Sequence, residues 1–263
     1  MDDLPVEILW MVLRERVDSV DRPACRRVSR LWRQTLQCSH KGEHRKAQHY
    51  AETMAWLGRL SVLEWARASG CPLDESVCIA AAGGGHLEVL KWARDNGCAW
   101  HDHTCAYAAL GGSVDVLRWV TDSGCPQVEN VCVFAASGGH LEVLQWARDN
   151  GHPWGESTCA CAASGGYGHI LQWARANGCP WDTRTCSNAA QWGHLETLRW
   201  ARESGCPWDE SACAGAAEYG HLEVLRWLRV GGCPWDARVC ADRAMANDHG
   251  AVAEWIALAE KGA

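Results

Sequence analysis

Phenylalanine is almost absent. The 263-residue chain has one, beside four tyrosines and four methionines. An irregular core draws on Phe together with Leu, Ile and Val, so this shortage points away from free-form packing. No run of 18 apolar residues occurs, so no membrane-spanning helix is expected. The start, Met1-Asp2-Asp3, has no apolar segment of the kind a secretory leader needs, and the cysteines are therefore expected to stay thiols in a reducing cytoplasm. Basic charge is also scarce beyond the first fifty residues. Positions 1–50 hold ten Lys/Arg against seven Asp/Glu, whereas 51–263 hold fifteen against twenty-five. A body this acidic repels phosphate, which sets nucleic acid aside as a partner.

Against these shortages stand seventeen Trp, sixteen Cys and twenty-six Gly, and they recur. Trp65, Trp92, Trp119, Trp146, Trp173, Trp200 and Trp227 are each 27 residues apart. Cys78, Cys105, Cys132, Cys159, Cys186, Cys213 and Cys240 keep the same interval, as do Cys71, Cys98, Cys125, Cys179, Cys206 and Cys233, with His152 in the one vacant place. Trp255 follows Trp227 by 28, implying one inserted residue near Asp248. Residues 44–263 thus read as about eight copies of one template, the first and last degenerate, as terminal units of a stacked array are.

Each copy reads as two short helices. In 101–126, Asp102 or His103 can cap a small apolar helix over Thr104-Cys105-Ala106-Tyr107-Ala108-Ala109, which Gly111-Gly112 breaks. A second helix carries Val114, Val116, Leu117, Trp119 and Val120 at helical spacing, ends at Ser123-Gly124, and gives way to Cys125-Pro126. Helices this short are marginal alone, so the copies must stack to bury their faces.

The stretch Gly85-His86-Leu87-Glu88-Val89-Leu90-Lys91-Trp92, with Ala81-Ala82 upstream, resembles the second half of an ankyrin repeat, and the match recurs over about 220 residues. Ankyrin repeats run to 33 residues. The six missing here fall at the family's β-hairpin finger, where Cys-Pro-Trp-Asp stands at 179–182, 206–209 and 233–236. The resemblance implies an all-α, ankyrin-like helical-pair solenoid with blunted fingers. Residues 1–43 resemble a second family: Leu4-Pro5-Val6-Glu7-Ile8-Leu9 followed by Val28-Ser29-Arg30-Leu31-Trp32-Arg33 looks like an F-box. That resemblance implies a small three-helix module docking on a Skp-type adaptor of a cullin ubiquitin ligase, through Leu4, Pro5, Ile8, Leu9 and Trp32. Arg22-Pro23 departs from the family, which has two leucines there. The combination is similar to proteins encoded in families by giant DNA viruses of amoebae, which would place the chain in a host cytoplasm.

The repeat also weighs against chemistry. No nucleophile–base pair, paired carboxylates or phosphate-cradling loop escapes the period, so no catalytic residue is assigned and no enzyme is expected. The Cys-x6-Cys spacing suits neither of the close ligand pairs of structural zinc, so neither metal nor cofactor is expected and the thiols read as small buried core groups. His86, His140, His194 and His221 follow Gly at the helix junction and read as loop-ordering; His169 stands two places late. The Trp65–Trp227 ladder reads as core. The second ladder, Trp100, Trp154, Trp181, Trp208 and Trp235, either packs under the corner between units or lies partly exposed at the rim. Recognition is expected where copies differ: Tyr107, Phe134, Asn188, Trp192 and Tyr219 are the candidate target-binding residues, although Tyr107 and Phe134 could equally be one packed pair. The expected assembly is a monomer holding an unidentified target protein, with no membrane partner.

Overall fold

A computed structural model describes His49, 51–68, Cys71, 73–126 and 130–261. The F-box-like segment 1–43, with Leu4, Pro5, Ile8, Leu9 and Trp32, lies outside the described residues. Among the described residues every regular element is helical. After a helical stretch at 51–56 come α1 (Leu60–Ala68), α2 (Glu75–Gly83), α3 (Leu87–Asp95), α4 (Thr104–Leu110), α5 (Val114–Asp122), α6 (Val131–Gly138), α7 (Leu141–Asp149) and α8 (Glu156–Ser164). The series continues with α9 (Gly168–Ala176), α10 (Thr183–Gln191), α11 (Leu195–Glu203), α12 (Glu210–Glu218), α13 (Leu222–Val230), α14 (Ala237–Ala246) and α15 (Gly250–Lys261).

From α2 onward the even-numbered helices are the first of each unit and the odd-numbered the second. First helices pack on the first helices of both neighbours and on their own second helix, while second helices touch one another more sparsely. This is a helical repeat solenoid. The first helices can stack closely because they present small residues: α2 buries Cys78, Ala81 and Ala82, and α10 buries Cys186, Ala189 and Ala190. The second helices supply bulk, as when α11 buries Leu198 and Ala201. Asp74, Asp182, Asp209 and Asp236 cap α2, α10, α12 and α14, each accepting a backbone N–H in the first turn. His103 stands at the N-cap of α4 without a side-chain bond; there Thr104 Oγ1 donates to the carbonyl of His101 instead. The residue inserted near the end lengthens α14, and Asp248 adopts the left-handed conformation that Gly holds at the equivalent turns.

The tryptophan ladder of the second helices does not sit in the core. Leu63, Leu90, Leu117, Leu144, Leu171, Leu198 and Leu225, each two residues ahead of a ladder Trp, are fully buried. The Trp side chains are half-buried and pack against that core from its edge. Two residues along an α-helix is a rotation of about 200°, which moves the larger ring away from the most enclosed position.

Candidate interaction surface

Three ladders hold the units in register, and they decide which side chains are left for a partner. The first joins both tryptophan series. Trp100 meets Trp119 edge-on with ring centroids 5.7 Å apart, Trp154 meets Trp173 at 5.7 Å, Trp181 meets Trp200 at 6.0 Å and Trp208 meets Trp227 at 5.8 Å. An arginine from the preceding helix covers the other side of each loop ring. Arg94, Arg148, Arg175, Arg202 and Arg229 lie 4.1–4.4 Å from the centroids of Trp100, Trp154, Trp181, Trp208 and Trp235. Each guanidinium also donates to the carbonyl four residues on, for example Arg202 to Cys206 at 3.1 Å and Arg229 to Cys233 at 2.8 Å. The Cys-Pro-Trp corner is thus clamped between successive units, and its ring is part of the framework.

The second ladder is histidine. His86 Nε2 lies 2.9 Å from the carbonyl oxygen of Trp56, and His194 Nε2 lies 3.0 Å from that of Ser164, each thirty residues earlier. The rings rest on left-handed glycines of the preceding unit. A Cβ on Gly193 would come within 2.7 Å of the His221 ring, so the turn needs Gly for space as well as for backbone conformation. Where the sequence displaces the histidine to position 169, Tyr167 takes this seat against Gly139 and Gly165. Burial lowers the pKa of His221 and of His152, which is enclosed in the place other copies give to cysteine.

The third ladder is sulfur. Thirteen of the fourteen described cysteines are buried thiols, and Cys161 is half-buried. They meet across each helical hairpin, twenty residues apart in sequence: Cys78 with Cys98, Cys105 with Cys125, Cys159 with Cys179, Cys186 with Cys206 and Cys213 with Cys233. The second thiol of a pair also lies at the start of the first helix: Cys179 Sγ donates to the carbonyl of Gly155 at 3.4 Å, Cys206 to Asp182 at 3.5 Å and Cys233 to Asp209 at 3.3 Å. Each accepting carbonyl is four residues before the partner cysteine, one helical turn away on the same face. Hydrogen bonding to the second thiol, followed by burial, pushes the first thiol up, and the same hydrogen bond pulls the second one down. In the unit with His152, Cys132 Sγ instead donates to the carbonyl of His152 at 3.7 Å, and burial pushes it up to about 11. Among the described residues no three His, Cys, Asp or Glu side chains converge as metal ligands would.

The five residues expected to contact a target separate into three groups. Tyr107 and Phe134 are half-buried and stack on each other across α4 and α6, with centroids 6.3 Å apart. Asn188 is a tie between units, its Nδ2 donating to the carbonyl of Ala160 at 3.1 Å. Trp192 and Tyr219 are different. They sit at the ends of α10 and α12, 5.4 Å apart, with 49% and 39% of their surface exposed. Upstream copies have Gly84, Gly111, Gly138 and Gly165 at this register. Beside the aromatic pair, Arg243 bridges to Glu218 at 2.7 Å across neighbouring units. The sequence had not marked the clamp arginines, although its signal was present: Arg occurs six residues before each loop Trp, and the copy with Thr121 in place of Arg has Gln127 in place of Trp. No protein-family profile matches the chain, and no curated protein is significantly similar to it.

Proposed function

We propose that this chain is a non-catalytic interaction adaptor: an ankyrin-like solenoid that holds a target protein, joined to an F-box-like segment that recruits a Skp-type adaptor of a cullin ubiquitin ligase in the cytoplasm. The observation that carries the target-holding half is the exposed Trp192–Tyr219 pair, set on adjoining units at a register where four upstream copies have glycine. Adjacent exposed aromatics on a rigid framework are the residue type and placement that interface anchors share. Tyr107, Phe134 and Asn188 then serve the framework, by packing or bonding between neighbouring units. The recurrent Trp, His and Cys side chains all have packing partners within the array, which favours binding over catalysis. The recruiting half rests on Leu4, Pro5, Ile8, Leu9 and Trp32 and on the resemblance alone. Because Arg22-Pro23 departs from that resemblance, a second reading is a scaffold or decoy that holds the target without recruiting a ligase.

The test uses the full chain. Purified Skp-type adaptor is titrated against wild type and against Leu4→Ala/Pro5→Ala. Micromolar binding that weakens at least tenfold, about 1.4 kcal/mol, supports ligase recruitment. No binding by wild type leaves the scaffold reading. For the other half, Trp192→Ala/Tyr219→Ala should release the proteins that wild type captures from lysate while melting at the same temperature. Equal capture by both would remove the aromatic pair from the binding surface.

A further inference from the structure

We propose that the five thiol pairs are oxidation sites, each closing to a disulfide within its own unit on exposure to a small two-electron thiol oxidant of the azodicarboxamide class. The argument starts from register. Cys98, Cys125, Cys179, Cys206 and Cys233 follow second helices, and the hairpin folds each back to the first turn of the helix carrying its partner. The sulfur–carbonyl bonds of 3.3–3.5 Å from Cys179, Cys206 and Cys233 fix that position, and Cys125 reaches the carbonyl of His101 at 3.9 Å in the same way. The partner thiol is one turn further along the same face, close enough for the two sulfurs to perturb each other's titration. Five pairs in one arrangement, repeated at the same interval, are a property of the unit.

The chemistry divides between the two sulfurs. The neighbouring helix thiol holds the second cysteine of each pair below the ordinary thiol range, so it loses its proton first. Its thiolate adds to one nitrogen of the N=N bond, and the other nitrogen takes up a proton. The helix thiol then gives up its proton and attacks that sulfur. The S–S bond forms as the S–N bond breaks, and the reduced hydrazine leaves with both protons. Two thiols lose two electrons and two protons, and the azo compound gains them. All ten sulfurs are buried, so the oxidant enters when a unit opens locally, and reaction is slow compared with a free surface thiol. One unit is a built-in control: Cys132 faces the backbone of His152 and has no thiol partner in its own hairpin.

The test is oxidation of the full-length protein, purified reduced, with azodicarboxamide in native buffer, followed by blocking of remaining thiols and non-reduced peptide mapping. The expected result is five bridges, each between cysteines twenty residues apart, with Cys132 still blocked as a thiol and the helical circular dichroism unchanged. Reductant should restore every thiol. Bridges between units, such as Cys98 to Cys105 or Cys132 to Cys179, would overturn the assignment, as would full recovery of unoxidised thiols after prolonged exposure. In a second experiment, Cys186→Ala should remove only the Cys186–Cys206 bridge. If Cys206 then bridges elsewhere while the other four pairs persist, pairing is set by collision in an opened chain and the proposal fails.

Discussion

Replacing Trp208 by alanine isolates the clamp between units. The ring loses an edge-on partner in Trp227 at 5.8 Å, an interaction of about 0.5–1.5 kcal/mol beyond burial. It also loses the Arg202 guanidinium at 4.2 Å, about 0.5–1 kcal/mol for a site open on one side. Half-burial of an indole contributes roughly another 1–2 kcal/mol by area. The expected loss is therefore about 3 kcal/mol, at the lower end of the range for a fully buried Trp. Arg202→Ala alone should cost about 1–2 kcal/mol, since the carbonyl of Cys206 loses its donor as well. The double variant should cost less than the two singles combined, with a coupling of about 0.5–2 kcal/mol. Urea unfolding followed by far-ultraviolet circular dichroism measures all three, and hydrogen exchange in α11 and α13 localises the loss. A Trp208→Ala variant within about 0.5 kcal/mol of wild type, or strictly additive losses, would refute the clamp.

Stability should depend on pH in one direction. His152 and His221 have folded pKa values below their ordinary 6.5, so the unfolded chain takes up protons that the fold resists; stability is full above about pH 6.5 and falls as pH drops below it. Melting at pH 5.5 should come earlier than at pH 7.5, and His152→Cys should shrink that difference. Gly111→Ala should cost about 1–3 kcal/mol, because its new methyl would run into the backbone carbonyl of Gly83, and a chemical melt of the variant tests this. At pH 8 a maleimide should label half-buried Cys161 first among the described thiols, while Cys71, Cys132 and Cys240, pushed up by burial to about 11, should react only on unfolding. Time-resolved peptide mapping gives the order.

The period was the most legible feature, because a single spacing locates every helix pair and every left-handed turn at once. Spacing along the chain says less about who meets whom across a hairpin. Cys98 and Cys105 are close in sequence, yet Cys98 faces Cys78, because the second helix returns antiparallel to the first. The Trp ladder of the second helices reads as core in the sequence, whereas the fully buried leucines are two positions earlier and the ladder rings lie at the rim, where Trp227 meets the loop indole of Trp208. Asn188 looked like a free surface variant; its amide in fact satisfies a carbonyl of the preceding unit, a contact between residues 28 apart that no local pattern reveals. Trp192 and Tyr219 were legible for the opposite reason. Bulky rings at a glycine register have no folding purpose in the template, and the structure leaves them exposed.

The clamp also bears on how such an array changes length. Arg202, Trp208 and Trp227 all fall within one 27-residue period. Removing or copying one period anywhere in the array therefore creates a seam that again has an arginine six residues before a tryptophan, wherever the flanking copies carry both. A newly joined boundary arrives already sealed and needs no compensating substitution. Replication slippage can thus lengthen or shorten the array in whole units, and the exposed face of the stack grows or shrinks with it. The Arg67–Leu73 and Thr121–Gln127 seams are the exceptions: copying across either propagates a boundary without the clamp, so duplications carrying such a seam yield the less cohesive arrays.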